Sequence, residues 1–252
     1  MTEGRPTYVG TAGWSVPRAL AHLFDAGSSV LERYASRFNG VEINSSFYRP
    51  HQRKTYERWA ACVPSGFRFA VKAPRQITHE HRLVGAGEWL DPFLEQIGGL
   101  GPKLGPVLFQ LPPSFAFDDD IATAFFAAWR ERFDGPTVVE PRHASWFSAS
   151  ADRRLTHDRI ARAAVDPALC AEAAKPGGFA GDLYFRLHGS PVIYESAYGA
   201  DRLRSLLQPL ADEPQPRSAW CILDNTKFGA ASEDALILMD LGGFGGCERA
   251  PI

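Results

Sequence analysis

The sequence predicts an α/β protein: a TIM-barrel-like (β/α)8 parallel barrel in a single domain. Three observations predict it. Short apolar runs recur and end in polar groups: VEINSSF, FAVKAP, VLFQLP, TVVEPRHASW, YFRLHG and CILDNT. These runs alternate with helical stretches, the pattern of a parallel sheet covered by helices. Roughly eight such units in 252 residues match the size of an eightfold barrel. A doubly wound open sheet is the alternative, but its phosphate-binding turn is missing. No GxGxxG follows the first strand, and no GxxxxGK followed by Ser or Thr occurs.

Taken in order, Tyr8–Ala12 reads as the first strand, with Gly13 and Trp14 in the loop after it. Ser28 or Ser29 caps a helix whose apolar positions Leu31, Tyr34, Ala35 and Phe38 have helical spacing, and Gly40 ends it. Val41–Ile43 is the second strand and Thr55–Cys62 the next helix. Phe67–Lys72 is the third strand, stopped by Pro74, and Glu88–Ile97 is a helix ending in Gly98 and Gly99. Pro106–Leu111 is the fourth strand, stopped by Pro112 and Pro113. Asp118–Asp120 complement the dipole at the start of helix Ile121–Arg132. Thr137–Glu140 is the fifth strand, and a short helix near Asp152–Thr156 follows. Ile160–Val165, rich in alanine, is the sixth strand, and Lys175–Gly181 is a loop. Leu183–Leu187 and Ala219–Leu223 are the last two strands. Asp201–Leu210 and Ser232–Met239 are helices, and Asp212–Pro216 is a loop. The barrel domain is expected over residues 1–241, with Gly242–Ile252 a disordered tail.

Composition narrows the function. The chain is 45% hydrophobic with a net charge of -2, which fits a large core and argues against a whole-surface nucleic-acid binder. Cys62, Cys170, Cys221 and Cys247 form no CxxC pair, so reduced thiols in a cytoplasmic protein are expected. The N-terminus lacks the apolar core of a signal peptide, and no apolar run is long enough for a membrane span.

In an eightfold barrel the site lies at the C-terminal strand ends. Alternate residues of a strand share a face, so Glu42 pairs in phase with Asn44, Glu140 with Arg142, and Arg186 with His188. Lys72 and Gln110 end their strands, and Asp224 and Asn225 follow the last one. If the barrel closes, these groups meet at one mouth. A bland reading stands beside this one: Glu42, Glu140, Arg142 and Arg186 also suit a purely structural ion-pair ring. His143 either orients its loop or takes part in catalysis. His188 precedes Gly189, where the backbone can approach a ligand closely. Gln110 suits loop backbone groups as well as a ligand. His79, Glu80 and His81 resemble a metal cluster but read better as a solvated loop.

Lys72, Arg142 and Arg186 outnumber Glu42 and Glu140, so a small anionic molecule is the expected ligand. Carboxylates near histidines suit acid–base chemistry, with Glu42, Glu140, His143 and His188 as the catalytic candidates. Lys72, Gln110, Arg142, Arg186, Asn225 and Trp14 are the candidate binding residues. A desolvated Lys72 suits a Schiff base, but an ion pair with Glu42 or Glu140 is the expected state. Trp14, Phe47, Tyr48, Trp146 and Tyr194 either stack on a sugar or base or pack the barrel top.

The same stretches resemble the YecE-like family, domain of unknown function 72. The matching motifs are VGTAGWS, RYASRFNGVEINSSFYRP, FRFAVKAPRQITHE, LFQLPPSF, VEPRHASWF, YFRLHGSP and DNTKFGAA, in order across nearly the whole chain. The resemblance implies a TIM-barrel-like fold and no assigned reaction. Asp224 and Asp234 stand where many members have asparagine; the first affects the charge of the mouth, the second the last helix.

Three functional readings follow. The first is an isomerase- or hydrolase-type enzyme on a sugar- or phosphate-bearing anion. The second is a metal-assisted phosphodiesterase, acting on nucleic acid, with ligands drawn from Glu42, Glu140, His143, His188 and Asp224. The third is a barrel that binds a ligand without catalysis. The sequence assigns no cofactor and leaves metal content and oligomeric state open.

Overall fold

The structure is a computed structural model that describes residues 6–207 and 217–241. The buried apolar runs become strands because they are short, and their β-branched and aromatic side chains suit a pleated surface. β1 (Thr7–Thr11), β2 (Gly40–Ile43), β3 (Arg68–Lys72), β4 (Leu104–Gln110) and β5 (Thr137–Glu140) come first. Between and after them lie α1 (Val30–Ala35), α2 (Arg53–Ala61), α3 (Gly87–Ile97), α4 (Asp119–Arg130) and α5 (Ala149–His157). Side-chain caps fix helix starts. Ser29 accepts the Glu32 N–H at 3.1 Å, and Asp118 accepts those of Asp120 and Ile121 at 3.0 Å.

The first helix stops at Ala35, short of the expected Gly40. Asn39 explains the difference. Its side chain accepts the Val9 N–H at 2.8 Å and donates to the Thr7 carbonyl at 2.7 Å, as a strand residue would. That draws the chain out of the helix and onto β1. Gly40 therefore opens β2, and its carbonyl lies where a Cβ on Gly10 would sit, 2.0 Å away.

The sixth run divides into β6 (Ala161–Arg162) and β7 (Ala164–Asp166). The expected loop at 175–181 contains β8 (Gly177–Gly178), which pairs antiparallel with β6. Two glycines carry no periodicity, so this strand left no signal in the sequence. β9 (Asp182–Leu187), α6 (Gly199–Leu207), β10 (Ser218–Leu223) and α7 (Ala230–Asp240) complete the order. The end of the expected helix Asp201–Leu210, the loop Asp212–Pro216 and the tail Gly242–Ile252 lie outside the described residues.

The fold is α/β with two sheets. One runs β1-β10-β9-β7, all parallel; the other runs β2-β3-β4-β5-β6-β8, parallel except for β8. The sheets approach each other twice. Ala12 bridges Glu42, and the Gly13 N–H donates to the Glu42 carbonyl at 2.8 Å. On the other side, β6 pairs with β5 and β7 with β9, and between them the Ala163 N–H donates to the Val139 carbonyl at 2.9 Å.

Apolar side chains sort into two cores, as alternation along a strand requires. The larger joins strand residues such as Val41, Phe69, Phe109 and Phe185 to helix residues such as Leu90, Phe125, Trp129 and Leu155. The smaller holds Ala70, Leu108, Val138, Ala163, Tyr184, Trp220 and Ile222, drawn from the strands and their connections. Among the described residues, no helix is long and apolar enough to cross a membrane.

Candidate functional site

Two residues beyond the smaller core, the same strand faces turn polar. Ala70 is followed by Lys72, Leu108 by Gln110, Val138 by Glu140, Tyr184 by Arg186 and Ile222 by Asp224. Arg186 is the centre. Its side chain is 0% exposed, and a buried cation is tolerated only when paired and hydrogen-bonded. The guanidinium meets that condition with three carboxylates. Nε and Nη2 donate to the two oxygens of Glu42 at 2.9 and 2.6 Å, a bidentate pair. Nη1 donates to Glu140 Oε2 at 2.9 Å, and Nη2 also lies 3.1 Å from Asp224 Oδ2. The Tyr184 hydroxyl donates to Glu42 Oε2 at 2.8 Å.

The second Glu140 oxygen serves the outer part of the site. It accepts from Arg142 Nε at 2.6 Å and Gln110 Nε2 at 3.0 Å. Arg142 Nη2 lies 2.9 Å from His188 Nε2. A guanidinium only donates, so Nε2 accepts, and Nδ1–H donates to Asp224 at 3.0 Å. His188 thus links Arg142 to Asp224, with Glu140 Oε1 a more distant neighbour of Nε2 at 3.4 Å. Gly189 follows with φ of +95°, and a Cβ there would lie 3.0 Å from Asn225 Cβ and Ser196 O. Only glycine fits that turn without strain.

Burial alone would raise the Glu140 carboxyl, but the Arg186 and Arg142 guanidiniums outweigh it and hold it well below the usual range. Asp224 is also lowered, with Arg186 and His188 overcoming burial. Both are therefore ionised at neutral pH and are weak proton acceptors.

Lys72 differs. It is 5% exposed. Among the described residues its Nζ makes no ion pair or hydrogen bond; it lies 4.2 Å from the centre of the Phe47 ring. Ser46 holds Phe47's segment against β3 by donating to the Lys72 carbonyl at 2.6 Å. Burial lowers the amine to about 8, helped by repulsion from Arg186 and opposed by Glu42, Glu140 and Asp224. The expected ion pair with Glu42 or Glu140 does not form, because Arg186, Arg142 and Gln110 occupy those carboxylates.

The structure brings together Glu42, Lys72, Gln110, Glu140, Arg142, Arg186 and His188. The remaining candidates make contacts of their own. Asn225 is fully buried, and its amide donates to Asp234 at 2.7 Å and the Ser196 carbonyl at 2.9 Å. Asp234 also accepts from the Tyr198 and Gly199 N–H groups, so it ties the start of α6 to α7, beyond its own helix. His143 caps the turn Ala144–Phe147 through Ser145. Trp14 packs edge-on against Trp59 of α2, centroids 4.9 Å apart. Arg186 is fully buried and four of its five N–H groups meet carboxylate oxygens, so it faces those partners rather than solvent. Of the two arginines, Arg142 reaches solvent, with its side chain 24% exposed. His79 bonds Thr78, His81 stacks on Trp89 and Glu80 pairs with Arg75. Among the described residues no three His, Cys, Asp or Glu side chains gather to hold a metal. Sequence reasoning missed Asp224 as a structural partner and the Tyr184 hydroxyl. Parity contained the signal for both, since Tyr184 and Asp224 are in phase with Arg186 and Ile222.

A family model described as "Protein of unknown function DUF72" matches residues 8–248. UPF0759 protein YunF of Bacillus subtilis is 31% identical over 149 residues, covering 56% of this chain and 52% of that protein. UPF0759 protein YecE of Escherichia coli is 32% identical over 108 residues, 43% of this chain and 38% of that protein. The match thus spans about half, or less, of these relatives. Two DUF72 crystal structures share the fold. The one from Enterococcus faecalis has a TM-score of 0.80 at 20% identity, covering 98% of both chains. The one from Thermotoga maritima has 0.77 at 23%, covering 94% of this chain and 98% of that one. A xylose isomerase-like TIM barrel/4-hydroxyphenylpyruvate dioxygenase fusion protein matches more distantly, with a TM-score of 0.51 at 12% identity over 92% of this chain and 41% of that one.

Proposed function

The chain belongs to the DUF72 family of proteins of unknown function, and on that premise we propose that it is an enzyme acting on a small anionic molecule at the mouth of a closed, single-domain TIM-barrel-like ring. Closure is supported by the Ala12–Glu42 bridge, by the sixth run passing from one sheet to the other, and by an inner core made of strand residues. The distant likeness to a TIM-barrel-containing protein supports the same shape.

The carrying observation is the division of labour between the two arginines. Arg186 is buried among Glu42, Glu140 and Asp224, whereas Arg142 is anchored by Glu140 and His188 and still meets solvent. We assign Arg142 to the substrate's anionic group, with Gln110 beside it. Lys72 exchanges the proton, because its amine titrates near neutrality, where a proton-transfer group is most effective. Glu42, Glu140, Asp224 and His188 position these two rather than acting as the base. A metal would have to compete with Arg186 for the same carboxylate oxygens, which weakens the phosphodiesterase reading. The three cations of the cluster are balanced by three carboxylates, which favours a small anion over a nucleic-acid backbone.

A thermal-shift screen with sugar phosphates and organic acids, on wild type and Arg142→Gln, tests this. A ligand at 100 times its Kd contributes about 2.7 kcal/mol, several degrees for a chain of this size. Wild type should shift and the variant should not. Silence from both, or equal shifts in both, would sink the reading.

A further inference from the structure

Lys72 differs from the other buried or paired lysines of the chain. Lys103 Nζ donates to the carbonyls of Ala60 and Val63 at 2.7 and 2.5 Å, and so holds a helix end in place. Lys227 pairs with Glu195 at 2.5 Å. Lys72 is the more buried side chain at a strand end, yet the aromatic face of Phe47 is its partner, at 4.2 Å. Three carboxylates stand in the same cluster, but the Arg186 fork has claimed them. Ala70, two residues back on the same strand face, and Leu108, its register partner on β4, are apolar and offer the amine no acceptor.

We propose that Lys72 is a covalent catalytic residue that forms an imine with the carbonyl carbon of an anionic aldehyde or ketone, a keto acid or a ketose phosphate. This rests on the anion-binding reading of Arg142 and replaces proton exchange by Lys72 with its attack on a carbonyl. The neutral amine adds to the carbonyl carbon, a C–N bond forms, and the C=O π pair moves to oxygen, which takes a proton. Nitrogen loses one proton, the hydroxyl leaves as water after protonation, and the nitrogen lone pair closes the C=N bond. Nothing is oxidised or reduced.

The surroundings suit each stage. Burial leaves a sizeable neutral fraction of the amine at neutral pH, since it titrates at about 8. The protonated imine is a cation again, and the Phe47 face and the nearby carboxylates of Glu42, Glu140 and Asp224 stabilise it. A protonated imine withdraws electrons from the neighbouring carbon, which opens isomerisation or carbon–carbon cleavage to the enzyme. Arg142 would hold the carboxylate or phosphate of the same substrate.

Reductive trapping tests the proposal on wild-type protein. Pyruvate, dihydroxyacetone phosphate and pyridoxal phosphate are each incubated with the protein and sodium cyanoborohydride, and the adduct is located by peptide mass mapping. Lys72 should be modified ahead of Lys54, Lys103, Lys175 and Lys227. Its rate should rise about fifty-fold from pH 6 to pH 8, following the neutral fraction of an amine with a pKa of about 8. Lys72→Met should lose the adduct, and a preference between pyruvate and dihydroxyacetone phosphate identifies the anion. Labelling spread evenly over the lysines, or none at Lys72 with all three probes, overturns the proposal. If the same compounds still stabilise wild type but not Arg142→Gln, anion binding stands and the imine alone falls. If neither trapping nor stabilisation occurs, both fall.

Discussion

Arg186 sets the state of every charged group around it. Its fork satisfies three carboxylates at once, so removing one leaves buried charge uncompensated. Glu140→Gln should destabilise the protein by about 3–5 kcal/mol near neutral pH. The folded Glu140 carboxyl titrates below its unfolded value, so its contribution is complete above the usual carboxylate range of about 4.3. It is lost as pH falls through the folded value. Denaturant midpoints of wild type and variant should therefore converge as the pH drops below that range; a gap that stays constant into strong acid would contradict the pairing. At this scale the sequence was half legible. Parity located Glu42, Lys72, Glu140 and Arg186 on one face, but it carries no information on which cation takes which anion. Lys72 lost its expected partner because a guanidinium offers five donors in a plane and an ammonium offers a single point charge. Asn225 follows its strand in the expected place, yet its amide finds the buried Asp234 instead of the mouth.

The strands position these residues, and β1 and β2 meet closely at Gly10 and Gly40. Gly10 lies against the Gly40 carbonyl and the Tyr34 hydroxyl, which itself accepts the Thr11 N–H at 2.8 Å. A methyl group at Gly10 would meet backbone, which cannot swing aside as a side chain can. Gly10→Ala should therefore cost about 3 kcal/mol or more, at the upper end of overpacking penalties, and thermal melting of the variant checks it. A variant as stable as wild type would mean that β1 and β2 are not held this closely. The strands themselves were legible because their apolar runs are short and end in polar residues; Thr137–Glu140 has the bounds expected of it. Elements defined by side-chain substitution for backbone were not. Asn39 cuts α1 short by bonding to β1, and β8 is made of glycines, so neither leaves a periodic trace.

Across the whole molecule, the site depends on distant pieces of chain meeting. Glu42, Lys72, Glu140, Arg186 and Asp224 come from β2, β3, β5 and β9 and from the end of β10, spanning both sheets. The amine of Lys72 reports on that meeting. It is desolvated by the core below, repelled by Arg186, and left unpaired because Arg186 has taken the acids. Titration of the Lys72 side chain by NMR, with isotope-labelled lysine and Lys72→Met to assign the signal, reads this directly. The wild-type amine should titrate at about 8. A midpoint near the ordinary lysine value of about 10.4 would mean that Lys72 has a carboxylate partner or free water around it, and the cluster built on Arg186 would not exist in the form described.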